Sequence, residues 1–199
     1  MIDQLVISQN LVDVFNYENH NTEKQKTVAQ IRAFAEKHVN YNNTHHTTVF
    51  QSQHDIHNNN LFKNVLESEE IKEYGKLLSE RYTIKSFLSF AVTESWFTII
   101  PPGGITMPIS TNGIVTCCYF LESGPHTGHM TFDSGINEKY FDPIKDAHNS
   151  HSFNSNKLDT MTPEGCIFGW PSYVKHNYAT NISREDKILY TFVLDLVTV

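Results

Sequence analysis

The sequence predicts a mainly β protein with N-terminal helices, an α+β chain built on an antiparallel β-sandwich or jelly roll. Three observations predict it. Beyond residue 82 the chain falls into short runs rich in Val, Ile, Phe, Tyr and Thr, at 86–100, 113–122, 128–133, 165–171 and 187–199. Gly and Pro punctuate these runs, and no gap between them carries a helical pattern. Ahead of residue 82, two segments show helical periodicity instead.

The elements follow in order. Residues 3–17 read as a strand and its loop, with Leu5, Val6 and Ile7 followed by Leu11, Val12, Val14 and Phe15. Residues 22–39 read as an amphipathic helix, because Val28, Ile31, Phe34 and Ala35 fall on one face and Asn21 or Thr22 can cap it. Residues 41–60 are polar, loop-like and dense in histidine. Residues 61–80 are helical again. Ser68 followed by Glu69 and Glu70 marks a fresh N-terminus there, with Ile71, Tyr74, Leu77 and Leu78 toward the core. Residues 134–162 form the longest irregular connection, the place where a functional lid is expected. No repeat and no linker divides the chain. One domain, 1–199, is expected, in which the helical and loop residues 1–82 pack on a jelly-roll core, 83–199.

Composition narrows the function. Hydrophobic residues make up 39% and charged residues 19% of the 199, a balance that fits a folded globular protein. A formal net charge of −7 gives no basic face for nucleic acid or an anionic membrane, so neither partner is expected. The stretch MIDQLVISQNLVDVFNYENH lacks a basic n-region and a long apolar core, so a signal peptide is not expected, and no apolar run is long enough to span a bilayer. Cys117, Cys118 and Cys166 are odd in number. The first two are strand neighbours that point to opposite faces, so no disulfide framework emerges and a reducing, cytoplasmic setting is the simplest expectation. Eleven histidines are many for this length, and imidazole is the commonest side-chain metal ligand.

Four pieces of sequence carry a resemblance: VFQSQHDIH (49–57), ESWFTIIPPGG (94–104), GIVTCCYFLESGPHTGHMTFD (113–133) and PEGCIFGWPSYVKHNYATNISREDKILYTFVLD (163–195). In that order the chain resembles a group of Fe(II)/2-oxoglutarate-dependent oxygenases of phages and marine bacteria, over roughly residues 45–196. The resemblance implies a double-stranded β-helix, the cupin-like jelly roll of that superfamily. It implies Fe(II) and 2-oxoglutarate as cofactors, and oxidation of a C–H bond coupled to decarboxylation of 2-oxoglutarate.

The same resemblance assigns residues. His176 falls at the distal metal-binding histidine, and Lys187, eleven positions later, falls where an arginine grips the far carboxylate of 2-oxoglutarate. Lysine there keeps the charge and loses the bidentate fork. The hydroxyl residue often found two places on is Leu189 here. The two remaining ligands, normally a His-x-Asp, His-x-Glu or His-x-His pair on one strand, should lie near Pro108 and Ser110. No His, Asp or Glu occurs from Ser95 to Leu121. Candidate substitutes are His126, His129 and Asp133 on the next hairpin, and His54, Asp55 and His57 in the polar loop. On a straight strand His129 and Asp133 share a face but stand ~13 Å apart, at ~3.3 Å per residue. His176 and His129 are the nominated metal ligands and Lys187 the nominated cosubstrate anchor.

Each has an ordinary counterpart. His176 can be a packed histidine, Lys187 a solvated cation beside Arg184, Glu185 and Asp186, and the histidines of 45–57 a polar surface loop. Trp96 and Trp170 read as core. Two functions therefore stand side by side: an oxygenase with a rearranged metal site, and a non-catalytic jelly-roll binding or interaction protein that has lost iron. A cupin-like protein with another metal set drawn from the histidines is a third. The substrate, small molecule or peptide, and the oligomeric state, a homo-oligomer included, stay open at this level.

Overall fold

The computed structural model describes residues 3–7, 10–37, 49–133 and 157–198. Two antiparallel sheets face each other. The larger has seven strands in the order β1 (Asp3–Ile7), β2 (Asn10–Asn16), β8 (Cys166–Pro171), β5 (Val115–Glu122), β10 (Lys187–Thr198), β4 (Leu88–Ile100) and β3 (Phe50–Gln51). The smaller has three, β7 (Lys157–Thr160), β6 (Met130–Asp133) and β9 (Lys175–Tyr178). Segment 103–111 runs along the free side of β9. Ile109 and His176 exchange both backbone hydrogen bonds at 2.9 Å, and Thr111 N donates to Ser172 O at 3.0 Å.

From β4 onward the chain passes between the sheets: β4 in the large, 103–111 in the small, β5 in the large, β6 and β7 in the small, β8 in the large, β9 in the small, β10 in the large. That winding is a double-stranded β-helix. It confirms the jelly roll and the mainly β class expected from the runs beyond residue 82.

Burial explains why β5, VTCCYFLE, is apolar almost throughout rather than alternating. The large sheet is covered on both faces. Cys117, Tyr119 and Leu121 pack with Phe15, Ile31, Tyr74 and Tyr190 on the helix side. Cys118 and Phe120 pack between the sheets with Met130, Phe132, Trp170 and Leu189. The adjacent cysteines thus face opposite ways, as strand geometry requires, and all three cysteines are free and buried.

The N-terminal region differs in detail from the sequence expectation. Residues 3–17 hold a hairpin, β1 with β2, rather than one strand and a loop. Helix α1 spans His20–Lys37, starting two residues early. The reason is tertiary: the buried His20 ring places Nδ1 2.6 Å from Tyr119 Oη and Nε2 3.3 Å from Glu164 Oε1. The 61–80 region divides where Ser68 predicts, into α2 (Lys63–Leu66) and α3 (Glu69–Arg81), and Ser68 Oγ accepts from Ile71 N at 3.4 Å. In the 134–162 connection, residues 157–160 are strand β7. Residues 134–156, like His45 and His46 of the histidine-rich loop, lie outside the described residues.

Candidate functional site

Strand β9 alternates, with Lys175 out, His176 in, and Tyr178 in again, so His176 projects between the sheets. It is 2% exposed. Its ring meets the edge of Trp170 at 4.7 Å between centroids and lies 6.2 Å from Tyr178. Phe132 stands directly across on β6. Nδ1 has no hydrogen-bond partner. Burial pushes the imidazole down to about 4, with the Val174 carbonyl pulling the other way. At neutral pH the ring is therefore uncharged, the form in which imidazole binds metals.

The neighbour on the other side of His176 decides the chemistry. Residues that exchange both backbone hydrogen bonds in an antiparallel pair send their side chains to the same side. That residue is Ile109, a hydrocarbon. Pro108 and Ser110, the positions the resemblance assigns to the paired ligands, flank it and are exposed.

His129 lies on the other side of the small sheet. Phe132 pairs with His176 and Met130 with Tyr178, and all four are buried between the sheets. His129, an odd number of residues from both Met130 and Phe132, falls with Thr131 on the outer face. Its Nε2 lies 3.6 Å from Asp159 Oδ1, half-exposed. The structure does not bring His129 and His176 together. His54 stacks on Trp96 at 4.3 Å and contacts Gln51 and Glu94, whereas His57 meets Ser95 at 3.4 Å. They too serve separate partners. Among the described residues, no group of three His, Cys, Asp or Glu side chains could hold a metal ion. The described residues do not fit the two-histidine, one-carboxylate site of an Fe(II) oxygenase.

Lys187 opens β10 and is fully buried, so it is no solvated turn lysine. Its Nζ donates to Gly128 O and to Thr162 Oγ1, both at 2.8 Å, and sits 5.6 Å from the Phe120 ring centre and 5.3 Å from that of Tyr178. Burial pushes the amine down to about 8, with Cys118 opposing the shift. Among the described residues no carboxylate pairs with it. The partners Gly128 and Thr162 carry no signal in sequence. They lie 59 and 25 residues from Lys187, and only the closure of the barrel brings them to it. Trp96 and Trp170 are buried, as expected for core.

No family model matches the chain, and no curated protein matches it. Solved structures do. The carbocyclase SnoK of nogalamycin biosynthesis, a non-heme α-ketoglutarate-dependent enzyme, superposes with a TM-score of 0.65 at 14% identity, over 92% of this chain and 78% of that one. HygX from Streptomyces hygroscopicus, solved with nickel and 2-oxoglutarate, gives 0.59 at 10% identity over 91% and 80%. The viral collagen prolyl hydroxylase of Paramecium Bursaria Chlorella virus-1, a 2-oxoglutarate complex, gives 0.53 at 12% identity over 91% and 94%. At these identities the likeness is one of fold.

Proposed function

We propose that this chain is a jelly-roll binding protein on the Fe(II)/2-oxoglutarate oxygenase fold, and that it does not run the iron-dependent oxidation. Fold alone does not fix function, and the side chains of the site must carry the claim. The observation that carries it is the pair Ile109 and His176: the residue paired by backbone hydrogen bonds with the buried histidine, where a second ligand is needed, is a hydrocarbon. Lys187 is the buried cation that the carboxylate of a bound ligand would meet. The free cysteines favour a reducing, cytoplasmic setting.

The test is anaerobic Fe(II) titration by calorimetry with 2-oxoglutarate present, on the wild type and on His176→Ala, followed by an aerobic assay for succinate. We expect no saturable iron binding that depends on His176, and no succinate. One observation favours a second reading, an active oxygenase with a rearranged ligand set: His176 is neutral, buried and unpartnered at Nδ1. Tight 1:1 iron binding lost in His176→Ala, with iron-dependent succinate formation, would establish that reading and remove ours.

A further inference from the structure

At one end of the barrel three turns converge, 123–129, 161–163 and 179–182. They enclose a cavity of about 640 Å³, within the ~300–1,000 Å³ range of small-molecule sites. Pro125, Met161, Ala179 and Ile182 supply apolar walls, and His126 and Thr162 supply polar ones.

Three independent features single this cavity out. Ile182 and Met161, 75% and 70% exposed, are the two most exposed large hydrophobic side chains among the described residues, and both line it. Scattered exposed hydrocarbon is ordinary, whereas exposed hydrocarbon gathered on one concavity marks a binding surface. His126 holds a φ of 104°, a conformation rare for any residue with a side chain, and its carbonyl accepts from Ile182 N at 3.1 Å. The His126 ring has no hydrogen-bond or ion-pair partner among the described residues. Such strain collects at functional sites. Finally, Gly128 and Thr162, which line the cavity, are the two residues that hold the buried Lys187 ammonium. A buried cation without a carboxylate partner leaves a positive field behind that wall. Of the acidic groups around it, Asp159 pairs with the wall residue His129 and Glu164 with Lys24, and Glu185 reaches to 4.0 Å from a Cβ placed on Gly124.

We propose that this cavity binds a small organic anion, with a ring-sized apolar body on Met161 and Ile182 and one carboxylate directed to His126 and the field of Lys187. The site goes beyond the binding-protein reading and holds whether or not the chain binds iron.

The test uses fluorine NMR titration of the full chain with para-fluorobenzoate, and with para-fluorobenzamide as its neutral counterpart. We expect saturable 1:1 binding of the benzoate, roughly tenfold tighter than the amide. Met161→Trp, a change at an exposed side chain that fills the cavity, should abolish binding, as should Ile182→Trp, while His126→Ala should weaken it several-fold. Benzoate binding that survives both tryptophan substitutions overturns the site. Equal binding of acid and amide overturns its charge preference, and no saturable binding of either overturns the proposal altogether.

Discussion

At the scale of single residues, two buried bases govern how the molecule answers to pH. His176 has a folded pKa of about 4 against an ordinary 6.5. Between those values the unfolded chain holds the extra proton, so stability rises with pH from 4 to 6.5 and is lost on acidification. The full effect of that shift is roughly 3 kcal/mol. His176→Phe places a ring of similar size among Trp170, Phe132 and Tyr178 and gives up only the interaction with the Val174 carbonyl. We expect urea unfolding of this variant to show wild-type or higher stability at pH 5, and a flatter acid limb. A loss of more than about 3 kcal/mol at neutral pH would mean that His176 has a partner it is not seen to have. Lys187 acts in the alkaline range. Its folded pKa of about 8 lies below the ordinary 10.5, so the unfolded chain again binds more protons, and stability rises with pH across 8 to 10.5. The wild type should therefore gain on Lys187→Met by roughly 3 kcal/mol over that window. A difference that stays constant from pH 7 to 11 would show that Lys187 is not buried as a cation.

At the scale of elements, α3 docks on the large sheet through the apolar face of Ile71, Tyr74 and Leu78 and through one buried carboxylate. Asp13, 1% exposed on β2, accepts from Tyr74 Oη at 2.9 Å and from Arg81 at 2.6 and 2.9 Å. Gly169 of β8 makes room for this contact, since a Cβ there would lie 2.2 Å from Tyr74 Oη. Removing one member of a buried charged set leaves the others uncompensated. Asp13→Ala should cost about 3–5 kcal/mol by chemical denaturation, and Asp13→Asn less, because it keeps one acceptor for Tyr74 or Arg81. Equal losses for the two would put the effect in packing instead. The apolar faces of α1 and α3 and the Ser68 start were legible in sequence because both are local patterns. Asp13 was not, because a carboxylate inside a strand gives no hint that a helix 61 to 68 residues away will cover it.

At the scale of the whole molecule, the large sheet is sandwiched between helices and the small sheet, which closes both faces of β5. Cys117 and Cys118 sit on those two faces, fully buried, and burial raises both thiols, Cys118 to about 11. Thiolate is the reactive form, so both should alkylate only through opening of the sheet. Mass spectrometry after iodoacetamide treatment should find neither modified in the native protein and all three cysteines modified in denaturant. Rapid native labelling of Cys118 would mean that the barrel interior is open to solvent. The order of elements along the chain was readable beyond residue 82, since strand runs and Gly-Pro breaks are written locally. The pairing was not: segment 103–111 beside β9 joins residues more than sixty positions apart.

The mainly β class, the helical N-terminal region, the burial of both tryptophans and the absence of His, Asp or Glu from 95–121 all follow from the sequence alone. These are properties of composition and local period, which every short window carries. Tertiary structure was needed to set Ile109 against His176 and to put His129 on the outer face of the small sheet. It was needed, too, to bury Lys187 against Gly128 and Thr162 and to gather three turns into a cavity at that end of the barrel. Each of these depends on register between distant strands, where a shift of one residue sends every side chain to the other face.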